Sequence, residues 1–89
     1  MATKKQEPAV SQFTLDLARV IKGLMSEHGV TQKALAAAVG KSQPYVSAKV
    51  NGLDAWNAYE LDVIARGLGF ESAFDMFEVV RIRVGAYHS

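Results

Sequence analysis

The stretch that most constrains this chain is TQKALAAAVGKSQPYVSAKVNG, residues 31–52, because it reads as two short helices joined at a glycine. Thr31 carries the hydroxyl of a helix N-cap, and apolar residues then recur at the helical spacing of three to four. Gly40 ends the first helix, since such a bend needs a left-handed backbone that glycine adopts at little cost. Ser42 caps a second helix, and Pro44 lies in its first turn, where a missing N–H does no harm. The pattern predicts a helix-turn-helix.

Further helices are predicted on both sides of this pair. Before it, residues 11–27 carry an apolar stripe wide enough to face a core. Its members are Phe13, Leu17, Val20, Ile21 and Leu24. After the pair, Asn57 and Glu60 have the spacing of a capping box that opens another helix. We expect Trp56 and Tyr59 to pack in the core and at its corner, with a base-stacking platform as the alternative. The predicted fold is all-α and compact, with four to five helices.

The last segment, residues 71–89, fits two kinds of secondary structure. Its apolar residues recur at helical spacing, whereas VVRIRV alternates like a strand. Because a four-helix core leaves little to cover these side chains, we interpret the segment as a dimerisation surface. Its predicted contact residues are Phe74, Phe77, Val80, Ile82 and Val84. The alternative is a fifth helix or a strand packed back on the same domain.

Length and composition limit the chain to one folded domain. We expect a flexible basic arm over residues 1–9, a helix-turn-helix domain over 10–70 and the dimerisation segment over 71–89. Cysteine is absent and histidines are few, so the sequence predicts no metal site, no cofactor and no small-molecule ligand. No apolar run approaches the roughly 18 residues of a membrane span, and the first residues lack the apolar segment of a secretory signal. We therefore expect a cytoplasmic protein.

The net charge of +1 conceals an uneven distribution along the chain. Residues 1–52 contain seven basic and three acidic residues, and residues 53–89 contain three basic and six acidic residues. The basic part includes the predicted helix-turn-helix, as a surface that faces phosphates requires. Ordinary solvated charges would also produce so small an imbalance. Lys4 and Lys5 are candidates for phosphate contact, with a solubilising tail as the alternative.

From residue 29 to residue 69 the chain resembles the lambda-repressor type of DNA-binding domain, within the Cro and repressor family of helix-turn-helix proteins. The resemblance rests on Gln32 at the start of the first helix of the pair, Gly40 in the turn, Ser-Gln at 42–43 and Asn-Gly at 51–52. The loop sequence NGLDAWNAY and the basic ATKK arm add to it. It implies a phage or bacterial repressor that binds double-stranded operator DNA as a homodimer.

The resemblance also assigns roles to single residues. Gln32 would contact a phosphate and brace Gln43, which would read a base. A glutamine amide carries both a donor and an acceptor, the pair that bridges N6 and N7 of adenine in the major groove. Pro44 would offer only apolar contact, and Asn51 and Asn57 match positions that hold phosphates. The other expected DNA-contacting residues are Lys41, Ser42, Tyr45, Ser47, Ala48 and Lys49.

Two residues depart from the family pattern. Lys49 occupies a position that is usually apolar, so either its stem lies along the core edge with the ammonium outside, or the helix is slightly rotated. Asp54 stands where the family type has a base-contacting asparagine. A carboxylate at that place repels phosphate and accepts from cytosine, so we expect the loop to read a different base.

The leading hypothesis is a sequence-specific transcriptional regulator that binds an inverted-repeat operator as a dimer through the helix over 42–51. A second hypothesis is a protein-binding module, such as an antitoxin or an antirepressor, that grips its partner with the C-terminal aromatic segment. An enzyme is disfavoured, because the sequence has no nucleophile and base at motif spacing and no glycine-rich phosphate loop.

Overall fold

The computed structural model describes residues 10–89, which form five helices and no strand. The helices are α1 (Gln12–His28), α2 (Gln32–Val39), α3 (Gln43–Val50), α4 (Ala58–Gly67) and α5 (Ala73–Tyr87). The all-α prediction is confirmed, and the ambiguous last segment is a helix. Lys4 and Lys5 of the expected arm lie outside the described residues. No helix within residues 10–89 is long and apolar enough to cross a bilayer.

Local sequence signals begin and end the central helices, as predicted. The hydroxyls of Thr31 and Ser42 accept the backbone N–H groups of Ala34 and Tyr45 at 3.1 and 3.3 Å. Gly40 ends α2 with a φ of 72°, in the left-handed region. The side chain of Asn57 accepts from the backbone of Glu60, and the side chain of Glu60 accepts in return from the backbone of Asn57. This capping box starts α4.

All five helices contribute to one core. Each helix contributes at least one apolar side chain that is 1% exposed or less, for example Ile21, Leu35, Val46, Ile64 and Met76. Helix α5 packs on α1 and α4, so the alternative of a fifth helix packed back on its own domain describes this part of the chain. Val80 is 5% exposed and faces the chain's own core, and its expected place on a dimer surface is therefore wrong. Phe74 and Ile82 remain exposed.

The two aromatic residues near the start of α4 differ in burial. Trp56 is buried, as expected, with 8% of its surface exposed. Tyr59 is 68% exposed, so the expectation that it packs in the core is wrong. It follows the capping residue by two positions, on the side of the first turn of α4 that faces away from the core. Phe13, expected in the core stripe of α1, is also largely exposed and meets the ring of Phe77 edge-on at 6.3 Å.

The end of α3 lies directly against α1 because Gly52 has no side chain. A Cβ at this position would lie 3.3 Å from a methyl carbon of Leu15 and 3.6 Å from the Cβ of Ala18. The φ of Gly52 is 78°, a conformation that other residues adopt only with strain. The glycine therefore fixes the distance between the turn after α3 and the middle of α1.

A buried polar network fixes α3 against the start of α4. The ammonium of Lys49 donates to the Glu60 carboxylate at 3.0 Å and to the hydroxyl of Tyr45 at 2.7 Å. That hydroxyl donates to the second carboxylate oxygen of Glu60 at 2.5 Å. The side chains of Lys49 and Glu60 are only 6% and 2% exposed. The expectation that the Lys49 ammonium lies outside is wrong, because the ammonium is turned inward and paired.

The charged forms of both partners are stabilised within this network. Burial by itself raises the pKa of Glu60, but the hydrogen bonds from Tyr45, Asn57 and Lys49 outweigh burial and hold the pKa below its usual value. Burial by itself lowers the pKa of Lys49, but its bonds to Tyr45 and Glu60 raise the pKa above the usual value. The pair is therefore ionised at neutral pH.

We expect Glu60→Gln to lower the free energy of unfolding by about 3 to 5 kcal/mol at neutral pH, because it leaves the buried ammonium of Lys49 without a counter-charge. The glutamine still accepts from the backbone of Asn57, so the cap is retained. Since the pKa of Glu60 is lowered by folding, wild type has this stabilisation above the ordinary glutamate pKa and loses it as pH falls through the lowered one. Urea unfolding measures the free energy of unfolding of both proteins at neutral and at acidic pH. The difference between wild type and Glu60→Gln should be smaller at acidic pH.

The matched control is Glu71→Gln, which removes an exposed carboxylate and should change stability by no more than about 0.5 kcal/mol. If Glu60→Gln does not fold, the double variant Lys49→Met/Glu60→Gln provides the test, because it removes both charges. This double variant should recover most of the lost stability. A double variant that is no more stable than Glu60→Gln would contradict the assigned role of the ion pair.

Candidate nucleic-acid interface

The start of α3 presents a polar, exposed edge. Lys41, Ser42, Gln43 and Pro44 are all exposed, and Gln43 is the first residue of the helix. The Ser42 hydroxyl accepts from the backbone N–H of Tyr45, so this N–H group in the first turn of α3 is paired. The amide of Gln43 makes no hydrogen bond to another residue in the described part of the chain. Both its donor and its acceptor therefore face solvent.

Gln32 and Gln43 border the same shallow depression, which Pro44 and Ser47 complete. Gln32 is the first residue of α2 and is half-buried. No hydrogen bond joins the two glutamine amides in the described part of the chain, so the structure does not contain the expected bracing of Gln43 by Gln32. The fold nonetheless brings the two predicted side chains to one surface.

Two residues expected on the outer face of α3 serve its inner face. Tyr45 is half-buried, and its hydroxyl is held between Glu60 and Lys49. The Lys49 ammonium is buried and also lies 4.2 Å from the centre of the Tyr45 ring. Lys49 therefore has no ammonium to offer a phosphate, and the DNA contact predicted for it is wrong. Ser47 and Ala48 are half-buried and keep part of their surface outside.

Asn51, directly after α3, is engaged by a residue that sequence analysis had not placed in the site. Its side-chain oxygen accepts from the ammonium of Lys22 in α1 at 2.8 Å. Its side-chain nitrogen donates to the carbonyl of Ser47 at 2.9 Å. The two bonds fix the amide at the C-terminal end of α3. Lys22 lies off the apolar stripe of α1, which predicts only that it is exposed. Nothing in the local sequence predicts its contact with Asn51.

The loop between α3 and α4 carries the other two predicted residues. Asp54 is exposed, and its carboxylate accepts the backbone N–H of Ala55 at 2.9 Å. Asn57 is exposed but uses its side-chain oxygen to cap α4, at 2.8 Å from the Glu60 nitrogen. The amide nitrogen of Asn57 is the part of this side chain that remains available for a phosphate. Gln43, at the first position of α3, and Asp54, beyond its last residue, thus lie at opposite ends of this helix.

The charged side chains on the first three helices differ in whether they form ion pairs. Lys22, Lys33 and Lys41 on and between the first three helices are exposed, and none of them forms an ion pair within the described residues. The carboxylate of Glu27 near the end of α1 is paired, because Arg83 of α5 binds it at 2.7 Å and holds its pKa below the usual value. Because the one lysine inside α3 is neutralised by Glu60, the positive charge of this face comes from its margins.

Comparison with known families agrees with this geometry. Residues 13–77 match the sequence pattern of the ParB HTH domain, from the first turn of α1 to the first turns of α5. No curated protein matches the chain. The match supports the helix-turn-helix DNA-binding fold and does not extend to the lambda-repressor type in particular. Since the match covers most of the chain, the protein belongs to the ParB HTH domain family of helix-turn-helix DNA-binding domains.

Proposed function

We propose that this protein is a sequence-specific regulator of transcription that binds an inverted-repeat operator as a homodimer and represses by occupying a promoter. It acts inside the cell, as a binding protein and not as an enzyme. The observation that carries the proposal is the exposed amide of Gln43 at the first position of α3. The N-terminal residues of a recognition helix are those that meet base edges in the major groove.

The surroundings of Gln43 support a role in reading DNA. Lys41 lies two residues before it and supplies a cation for the backbone, and Gln32 borders the same depression. Phosphate contacts position a helix, and base contacts provide the specificity. The buried network of Lys49, Tyr45 and Glu60 holds α3 at one orientation, as accurate base reading requires.

Dimerisation is supported by the outer face of α5. Phe74 and Ile82 on this face are 84% and 64% exposed, and a second protein surface would cover them. Phe74, Glu78, Arg81 and Gly85 recur at spacings of four, three and four, so they lie along one stripe of the helix. This stripe has a phenylalanine at one end, a glycine at the other and opposite charges between them.

Such a stripe is complementary to a second copy of itself. When two α5 helices pack antiparallel about a two-fold axis, Glu78 of each copy lies opposite Arg81 of the other. The same register places Phe74 over Gly85, where the absent side chain leaves room for the ring. One symmetric arrangement therefore satisfies both the charges and the apolar groups.

We expect Gln43→Ala to relax the preference at one base position by about 1 to 3 kcal/mol, because the alanine cannot bridge a donor and an acceptor on a base. Sequences selected from random duplex DNA by wild type and by the variant measure this change. The matched control is Lys41→Ala, which should weaken binding to all sequences alike. Unchanged base preference in Gln43→Ala would contradict the assigned reading role, and affinity of wild type that does not fall with salt would contradict DNA binding itself.

A charge exchange tests the dimer. Glu78→Arg places four cations at the centre of the antiparallel pair, and we expect it to weaken dimerisation at least about tenfold. The double variant Glu78→Arg/Arg81→Glu restores opposite charges across the axis and should restore the dimer. Glu71→Arg, an exposed reversal outside the stripe, is the matched control. Size-exclusion chromatography with light scattering measures the mass, and a double variant as dissociated as Glu78→Arg would contradict this pairing.

A second candidate function is favoured by the same exposed face. A protein-binding module would use Phe74 and Ile82 to hold a different protein, with DNA binding secondary. In that case wild type is a monomer by light scattering and forms a stable complex with a partner of another sequence. Glu78→Arg would then weaken that complex and leave the mass of the isolated protein unchanged.

A further inference from the structure

We propose that Arg19, Lys22 and Asn51 form a second phosphate-binding site, at the C-terminal end of α3, which holds the sugar-phosphate backbone of duplex DNA. The inference rests on the proposed function and adds to it a contact made by α1. The three residues border one surface depression, together with Gly52 at the turn after α3.

Lys22 is the central cation of this site. Its one hydrogen-bond partner in the described chain is the side-chain oxygen of Asn51, an uncharged acceptor 2.8 Å away. The ammonium therefore keeps its full charge and has two further donors to offer. Asn51 is itself held by the carbonyl of Ser47, so the lysine is attached to the end of the recognition helix and not merely close to it.

Arg19 borders the same depression and is held there by α5. Its guanidinium carbon lies over the Tyr87 ring, 3.6 Å from the centre, so an aromatic face and not a carboxylate holds the cation. Asp16, one turn earlier on α1, is occupied by His88, whose ring nitrogen lies 3.0 Å from the carboxylate. Neither Arg19 nor Lys22 forms an ion pair within residues 10–89.

The length of α3 brings this depression to the backbone of DNA. The helix has eight residues, which corresponds to about 12 Å, and the major groove is about 12 Å wide. When Gln43 at its first position meets base edges, the other end of the helix lies beside one of the backbones that border the groove. Arg19, Lys22 and Asn51 are at that end. Duplex DNA offers a phosphate there, for which a guanidinium and an ammonium are suitable partners.

The test measures the salt dependence of binding for wild type, Arg19→Gln, Lys22→Gln and the double variant, on a mixed-sequence duplex. We expect each single variant to lower the slope of log affinity against log salt by about one per bound protomer. When the salt concentration is raised fourfold, each variant should lose affinity by a factor about threefold smaller than wild type does, for each cation removed. Arg66→Gln, which removes an exposed cation from α4, is the matched control and should leave the slope unchanged.

A second measurement locates the phosphate. Neutral methylphosphonate is introduced at one backbone position at a time in the selected duplex. Wild type should lose affinity at one position beside the groove where the double variant loses none. A double variant with the wild-type slope would overturn this inference while leaving DNA binding intact. Wild-type affinity that ignores salt would instead overturn the proposed function, so the two failures are distinguishable.

Discussion

The orientation of the recognition helix depends on the ion pair between Lys49 and Glu60. Apolar contacts alone tolerate small rotations of a short helix, whereas a hydrogen-bonded ion pair has a defined direction. The same carboxylate closes the capping box of α4 and accepts from Tyr45. One buried group thus fixes the last turn of α3, the first turn of α4 and both ends of the loop that carries Asp54. Because such a pair must offset its own desolvation, we expect it to contribute to structural specificity more than to net stability.

Burial of Lys49 also shapes the electrostatics of the exposed surface around α3. The cation that the sequence places inside α3 is neutralised, so the positive charge beside the helix comes from Lys41 in the turn and from Lys22 on α1. Residues outside the helix-turn-helix pair therefore also contribute to the charge of the surface around α3. Helix α1 is both a wall of the core and a source of charge, and Gly52 sets the close approach that makes this possible.

The parts of the fold that could be predicted are those with local causes. Thr31, Ser42, Gly40 and the Asn57–Glu60 pair act within a few residues of their own helix ends, and each behaves as the sequence indicates.

The pairing of Lys49 could not be predicted, because the carboxylate that accepts its hydrogen bond lies 11 residues away on another helix. The contact between Lys22 and Asn51 spans 29 residues and has no local signal. Tyr45 and Tyr59 were misassigned because short helices leave the phase of an aromatic side chain poorly determined. The alternation in VVRIRV suggested a strand, but Val80 and Val84 are also four residues apart, and helical packing on α1 and α4 decided between the two.

The contact of Arg19 with the ring of Tyr87 links the end of α5 to the proposed phosphate site. If a phosphate favours the arginine in contact with this ring, thermodynamic reciprocity requires that a well-ordered last turn of α5 also favours the bound phosphate. The amide hydrogens of that turn should then exchange with solvent more slowly when DNA is present, even though the turn touches no base. Hydrogen exchange at the end of α5 would therefore report whether the proposed phosphate site is occupied.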